Sequence, residues 1–276
     1  PYPTVQTAVP VGLDAVRLHP VMVDLDDDGP DFIIASTPKG GKTTLLQTWA
    51  LALAMFNSPQ QVQFVLISMQ RDSLQPLRAL PHVLDYCREA EEFCEDGALL
   101  HLQQEIEARE RLVEKSRKRL DHLPHIVVMI DDYDALSNEV GNDTQLSTLA
   151  KEGRDVNIHT IVTGPLPKMG VGYADKVISQ LKVNRSGFLL RVLDATEQNP
   201  LGLRLRAAEI KQMPAGRGYL ARGGSKEMLQ VATPGDDAAV ARWVIEITEA
   251  WRAKEIVEAA WPQYETVPQK TDGGKG

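Results

Sequence analysis

Cysteine is scarce in this chain: two residues in 276, Cys87 and Cys94, with six positions between them. That spacing fits no common zinc pattern, and no histidine pair lies near enough to complete one. A disulfide scaffold is excluded, and two free thiols in a reducing compartment are expected. Long apolar runs are missing too, since no stretch approaches the roughly 20 residues that a membrane-spanning helix needs. No signal-peptide pattern opens the chain. It begins with Pro1 rather than methionine, so a fragment of a longer protein is the expectation, whose parent could carry a membrane anchor elsewhere. Positive charge is also short. The net charge of −8 argues against a broad nucleic-acid surface. Internal repeats are absent. What remains is an ordinary soluble composition, 43% hydrophobic and 25% charged, long enough for one large α/β domain.

Residues 1–18 are rich in proline, valine and threonine and read as an extended lead-in. "HPVMVDLDDDGP" predicts a short strand over 21–25, closed by the acidic turn Asp26-Asp27-Asp28-Gly29. "DFIIAS", "VQFVLIS" (62–68), "HIVVMIDDYDAL" (125–136), "NIHTIVTG" (157–164) and "SGFLLRVL" (186–193) are apolar, β-branched runs that predict buried strands. Helices are expected between them. One follows "GKTTLLQTWALALAM". A second, over 97–120, carries an apolar stripe of Leu99, Leu102, Ile106 and Val113. On its wet side lie the i,i+4 pairs Glu105/Arg109, Glu107/Arg111 and Glu114/Lys118. "GRGYLARGGSKEMLQVAT" (216–233) predicts a hairpin turning at Gly223-Gly224-Ser225-Lys226. Strands that are apolar throughout and alternate with helices call for a mostly parallel central sheet covered on both faces. After 236 a C-terminal helix places Val240, Trp243, Val244, Ile247 and Trp251 on one face and ends at Trp261-Pro262. The domain reading is 1–235 as one domain, 236–261 as the C-terminal helix and 262–276 as a disordered polar tail.

The chemistry begins at "ASTPKGGKTTLL" (35–46), directly after the apolar run Phe32-Ile33-Ile34. Gly41, Lys42 and Thr43 fit the phosphate-loop pattern G-x-x-x-x-G-K-[ST], but Ser36 stands where the first glycine is usual. The setting is right, because such a loop joins a buried strand to a helix N-terminus. Backbone N–H groups of residues 39–43 would point at the phosphates there, aided by the helix dipole. The cofactor-binding stretch is Ser36, Thr37, Pro38, Lys39, Gly40, Gly41, Lys42, Thr43 and Thr44, with Lys39 turned to solvent. Lys42 would neutralise the β- and γ-phosphates, and the Thr43 hydroxyl would sit on Mg²⁺. Ser36 is acceptable if its φ is negative. "IVVMIDDYD" has the form of a Walker B strand that delivers Asp131, the second metal-site residue, to the sheet's C-terminal edge, where open α/β sheets bind ligands. Asp132 occupies the catalytic position that many ATPases of this type give to glutamate. It is one methylene shorter, about 1.5 Å, and such a misplacement can cost on the order of 10²-fold in rate. His159, inside an apolar strand, is expected to be a core histidine, and His125 a strand-edge residue.

These motifs, in this order, resemble the FtsK/SpoIIIE family. "GRDVNIHTIVTG" is similar to that family's GR-x-x-G-I-H-L-x-L-A-T strand. The series "VPVGLD", "PVMVDL", the loop, "VVMIDDYDAL", "GRDVNIHTIV" and "PAGRGYLARGG…LQVAT" looks like the C-terminal ATPase domains of EccC/EssC, the motors of type VII secretion. The paired "DDYD" is most like the last of three tandem ATPase domains. The likeness spans roughly residues 9–233.

The resemblance implies a RecA-like P-loop ATPase fold that holds ATP and Mg²⁺. It implies neighbouring ATPase domains in the parent chain, assembly into hexamers in the full motor, and a place on the cytoplasmic face of the membrane. It also implies recognition of C-terminal signals on WXG-type secreted substrates. The departures point to weak hydrolysis. The first loop glycine is Ser36, the catalytic acid is Asp132, and Thr163-Gly164 stands where DNA-pumping relatives have Thr-Gln. Arg154, Arg185 and Arg191 read as ordinary surface or strand-end arginines rather than arginine fingers. The alternative reading is a DNA translocase domain, which the acidic balance and Gly164 weaken.

Overall fold

The computed structural model describes residues 4–69, 72–94, 97–140, 144–170, 175–196, 199–211 and 213–262. Of the tail expected to be disordered, 262–276, residues 263–276 lie outside the described residues. The described backbone builds one ten-stranded sheet. Its strands are β1 (Ala8–Asp14), β2 (Pro20–Asp24), β3 (Phe32–Ser36), β4 (Val62–Ser68), β5 (Val83–Cys87), β6 (His125–Asp131), β7 (Ile158–Pro165), β8 (Gly187–Leu190), β9 (Arg217–Arg222) and β10 (Ser225–Val231). They run in the order β2-β1-β10-β9-β8-β3-β7-β6-β4-β5. The half from β8 to β5 is parallel throughout. The other half, β9, β10, β1 and β2, is antiparallel and includes the expected hairpin.

The parallel strands β3, β4 and β6 are buried at every position. A strand with a helix layer on each side needs apolar residues on both faces, which is why these runs do not alternate. On one face, α1 (Lys42–Phe56) and α4 (Asp237–Arg252) pack with Phe32, Ile34, Phe64 and Leu190. On the other, α2 (Ala98–Val113) and α3 (Tyr133–Val140), with shorter helices, cover Ile33, Val65, Val128 and Ile130. Trp49 of α1 is fully buried, edge-on to Phe32 and Phe188.

Several expectations need correction. The lead-in contains β1, which pairs with β2 and β10. The helix expected to reach 120 stops at Val113 and is followed by a 3₁₀ turn, Arg117–His122. The apolar stripe lapses over Glu114-Lys115-Ser116-Arg117, so nothing holds a further turn to the sheet, and Ser116 is extended at φ −176°. Glu107 and Arg111 do form an exposed pair. Glu105 and Arg109 are instead buried, 2.6 Å apart, with the guanidinium also donating to the Val156 carbonyl at 2.9 Å. The side chain of Lys118 lies outside the described set. The strand expected over 186–193 ends at Leu190, because Arg191 turns to φ +45°. The last helix ends at Arg252 rather than at Trp261. It buries Val240, Val244 and Ile247, while Trp243 stays 40% exposed. Trp251 donates its indole N–H to the Ala54 carbonyl of α1.

Candidate nucleotide site

The loop 36–41 leaves β3 at the sheet's C-terminal edge, between β7 and β8. Ser36 does not adopt a positive φ, and its hydroxyl donates to the Thr37 carbonyl at 2.7 Å. Serine therefore fits where a glycine is usual. The two remaining glycines are less replaceable. A Cβ on Gly40 would stand 2.6 Å from the Ser36 side chain. Gly41 sits at φ +101°, and a Cβ there would meet the Gly216 backbone at 3.0 Å. Lys39, at φ +56°, is exposed. Helix α1 begins at Lys42 with Gly41 as N-cap, and no side chain caps it. Its first N–H groups are thus left to face the loop, as an anion-binding helix start requires.

Remote segments fasten the loop. Gly216 donates its N–H to the Gly40 carbonyl at 2.8 Å. Thr37 donates its hydroxyl to the Arg191 carbonyl at 2.7 Å, and the Arg191 guanidinium returns a bond to the Pro38 carbonyl at 3.0 Å. Arg191 is thereby a brace for the loop of its own chain. Arg154 pairs with Asp31 at 3.5 Å, and Arg185 caps a 3₁₀ turn at φ +50°.

The Walker B strand β6 places Asp131 beside this loop. Its carboxylate is almost fully buried and accepts three hydroxyl bonds: from Thr43 at 2.7 Å, Ser73 at 2.6 Å and Thr163 at 2.6 Å. Thr163 also accepts the Asp132 N–H at 3.0 Å, fixing both acids at once. Asp132 lies at φ +53°, with its carboxylate 3.8 Å from the Lys42 ammonium. Lys42, Thr43, Asp131 and Asp132, all expected from the sequence, are brought together by the fold. Ser73 and Thr163 were not expected as partners of Asp131. Thr163 carried a faint signal as the residue before Gly164. Ser73, whose carbonyl accepts from Gln47 of α1 at 2.9 Å, carried none. The space beside Gly164 is filled by Met169, whose sulfur would stand 2.5 Å from an added Cβ.

The residues present fit a nucleoside triphosphate with Mg²⁺. Two glycines that no Cβ could replace shape a cradle at an uncapped helix start, one lysine lies within reach, and a hydroxyl and a carboxylate converge as hard oxygen donors. Comparison with known proteins follows the same line. Residues 3–119 match the model of the FtsK/SpoIIIE family, a stretch that contains the phosphate loop and stops short of the Walker B strand. That stretch is less than half of the chain, and the chain is similar to the FtsK/SpoIIIE family there. The ESX secretion system protein YukB of Bacillus subtilis is 29% identical over 227 residues, covering 75% of this chain but 15% of that protein. The chain therefore spans only a small part of the length of such relatives. Among solved structures, EssC (ATPases 2 and 3) from Geobacillus thermodenitrificans superposes with a TM-score of 0.76 at 23% identity. It covers 95% of this chain and 52% of that one. Thermomonospora curvata EccC (ATPases 2 and 3), in complex with a signal sequence peptide, gives 0.66 at 22% identity over 85% of this chain and 42% of that one. The fold of this chain is the RecA-like P-loop fold of those ATPase structures.

Proposed function

We propose that this chain is the ATP-binding domain of a type VII secretion motor, the last of its tandem ATPase domains. In this reading it binds Mg-ATP tightly and hydrolyses it weakly. The observation that carries the reading is the meeting of Lys42, Thr43, Asp131 and Asp132 at one edge of the sheet. Residues 36–44 would hold the phosphates, and Thr43 with Asp131 the Mg²⁺, which supplies charge neutralisation between phosphate oxygens. Lys42 would exchange its contact with Asp132 for a phosphate oxygen. Asp132 would orient an attacking water, from one methylene too far back. Residues 1–235 form the ATPase unit in this reading, and the helix within 236–261 covers it. Calorimetric titration with Mg-ATP, with phosphate release measured on the same sample, tests the assignment. Saturable binding that disappears in Lys42→Ala is expected, with slow release indifferent to duplex DNA. Release that rises with DNA would favour a translocase.

The motor would sit on the cytoplasmic face of the membrane, beside neighbouring ATPase domains and within a hexamer. Its relatives are parts of secretion proteins, and one solved neighbour was captured with a signal peptide. Among the described residues no helix is long and apolar enough to cross a membrane, so an anchor would come from elsewhere in the parent. For recognition of a WXG-type substrate tail we assign the groove of about 190 Å³ between α1 and α4. It is lined by Met55, Trp243, Ile247 and Trp251 with Glu246 and Lys254. An apolar groove flanked by a half-exposed tryptophan suits the apolar face of a helical tail. A peptide carrying a C-terminal secretion signal is expected to change tryptophan fluorescence on binding, and Trp243→Ala to abolish its affinity. Equal affinity in that variant would remove the groove from the reading and leave the nucleotide site untouched.

A further inference from the structure

At the opposite, N-terminal edge of the parallel strands, His125 of β6 and His159 of β7 face each other beneath the acidic turn that carries Asp26. Both rings are buried. The His159 Nδ1 lies 3.2 Å from the Pro30 carbonyl, which can only accept, so Nδ1 carries the ring's proton and Nε2 offers a lone pair. The His125 Nδ1 stands 2.9 Å from that Nε2 and must therefore donate to it. The ring centroids are 5.2 Å apart and nearly coplanar, at 6°. The nitrogen separation plus the two ring radii accounts for that whole distance, so the rings meet head on rather than stacking. One carboxylate oxygen of Asp26 lies 3.7 Å from His125 Nδ1 and 3.8 Å from His159 Nε2. Asp26 is half-exposed, so the cluster opens to solvent on that side.

We propose that Asp26, His125 and His159 form a binding site for one divalent transition-metal ion of the zinc, cobalt or nickel class. Separations of 2.9, 3.7 and 3.8 Å leave a point about 2.0 Å from all three atoms, the length of ordinary Zn–N and Zn–O bonds. Two imidazoles and one carboxylate suit these ions better than Mg²⁺ or Ca²⁺. The Pro30 carbonyl already supplies the outer partner that fixes a ligating histidine's tautomer. The ion takes the place of the proton between the two rings. His125 then carries its proton on Nε2 instead of Nδ1, each ring tilts to aim its lone pair off the N–N line, and the fourth position is open to water past Asp26. The buried cation Arg109 is paired with Glu105, which offsets part of its repulsion. This site is separate from the hydroxyl-and-carboxylate Mg²⁺ position at Thr43 and Asp131, which lies at the other edge of the sheet.

The test is a Co²⁺ titration of the full chain followed by visible absorption and by paramagnetically shifted imidazole resonances. One equivalent bound with intense low-symmetry d–d bands and shifted signals from two histidines is expected. Asp26→Ala, a change at a half-exposed turn that leaves the fold intact, should weaken this binding at least about 10-fold, the lower bound even for an outer-shell partner. His125→Gln should abolish the bands. If His125→Gln does not fold, the Asp26→Ala series and the histidine resonances of the wild type decide alone. Absence of binding, or only weak octahedral bands unchanged by Asp26→Ala, would overturn the proposal and leave a purely structural hydrogen-bonded histidine pair.

Discussion

Asp131 shows how much of this site rests on side chains that touch no phosphate. Three hydroxyls converge on one buried carboxylate and supply hydrogen bonds to oxygens that would be costly to bury bare. Asp132 beside it is held through its backbone by Thr163 and through its side chain by Lys42. In the proposed reading, its shortness is what would make turnover slow. Asp132→Glu should then raise phosphate release in single-turnover assays, by up to about 100-fold, with little change in the Kd for Mg-ATP. A rate unchanged by that substitution would locate the slow step elsewhere, at Gly164 or in a missing neighbour. The phosphate loop and the Walker B acids were legible in the sequence because each is a local pattern set between a strand and a helix. Ser73 and Thr163 were not legible as partners of Asp131, which lies 58 and 32 positions from them, and only the sheet order β7-β6-β4 brings them together. Arg191 was read as a strand-end arginine, and its grip on the Pro38 carbonyl depends on a turn at φ +45° that no short motif announces.

Element by element, five of the six strands of the parallel half could be read directly, since apolar, β-branched runs buried on both faces have few alternatives; β5, at the sheet edge and only half-buried over most of its length, was not expected from the sequence. Helix ends and helix faces were harder. In α2 the pattern Glu105/Arg109 is the same i,i+4 spacing as Glu107/Arg111, yet one pair is buried and the other exposed. The difference lies in the chain packed above it: Arg109 reaches the Val156 carbonyl at the end of a 3₁₀ turn, a contact 47 positions away in sequence. A buried ion pair is costly to break from one side. Arg109→Met leaves the Glu105 carboxylate in the core and should destabilise the protein by about 3–5 kcal/mol. The double variant Glu105→Leu/Arg109→Met removes both charges and should cost less than the single one. Urea unfolding of the three proteins checks the order. If the double variant is less stable than Arg109→Met, the Glu105 carboxylate left without Arg109 is not the source of the loss. Helix α4 teaches a related point. Its apolar face was visible in the sequence, but its end at Arg252 was not, because residues 253–262 hold to the body by single bonds such as Ala259 N–H to the Pro81 carbonyl and Trp261 to Asp85.

For the molecule as a whole, the buried histidines set how stability responds to acid. Burial pushes His82 down to about 4, His125 to about 4 and His159 to about 3, against 6.5 in the unfolded chain. A folded-state value below the unfolded one means that unfolding takes up protons as the pH falls. The stability these rings permit is therefore fully present above about pH 6.5 and is lost as the pH drops toward 4. Two carboxyls act the other way. Burial raises Asp31 to about 7 despite the pull of Arg154. Burial with the neighbouring Asp24 and Asp27 raises Asp26 to about 6. Their contribution is present at low pH and fades as the pH rises through 6 to 7, which partly offsets the histidines; with three rings against two carboxyls, stability should still rise with pH and level off above about pH 7. His82 gives the cleanest separation of the two effects. Its Nε2 donates to the Asn57 carbonyl at 2.7 Å, and burial rather than a neighbouring charge is what depresses it. Between pH 6.5 and 4 it should account for about 3 kcal/mol of lost stability, at about 1.4 kcal/mol for each tenfold change in proton affinity. In His82→Gln, which keeps a donor toward Asn57, chemical denaturation across that range should show a slope shallower by close to one proton. A slope equal to that of the wild type would mean that His82 is already protonated in the folded protein, and the acid sensitivity would then belong to His125 and His159 alone.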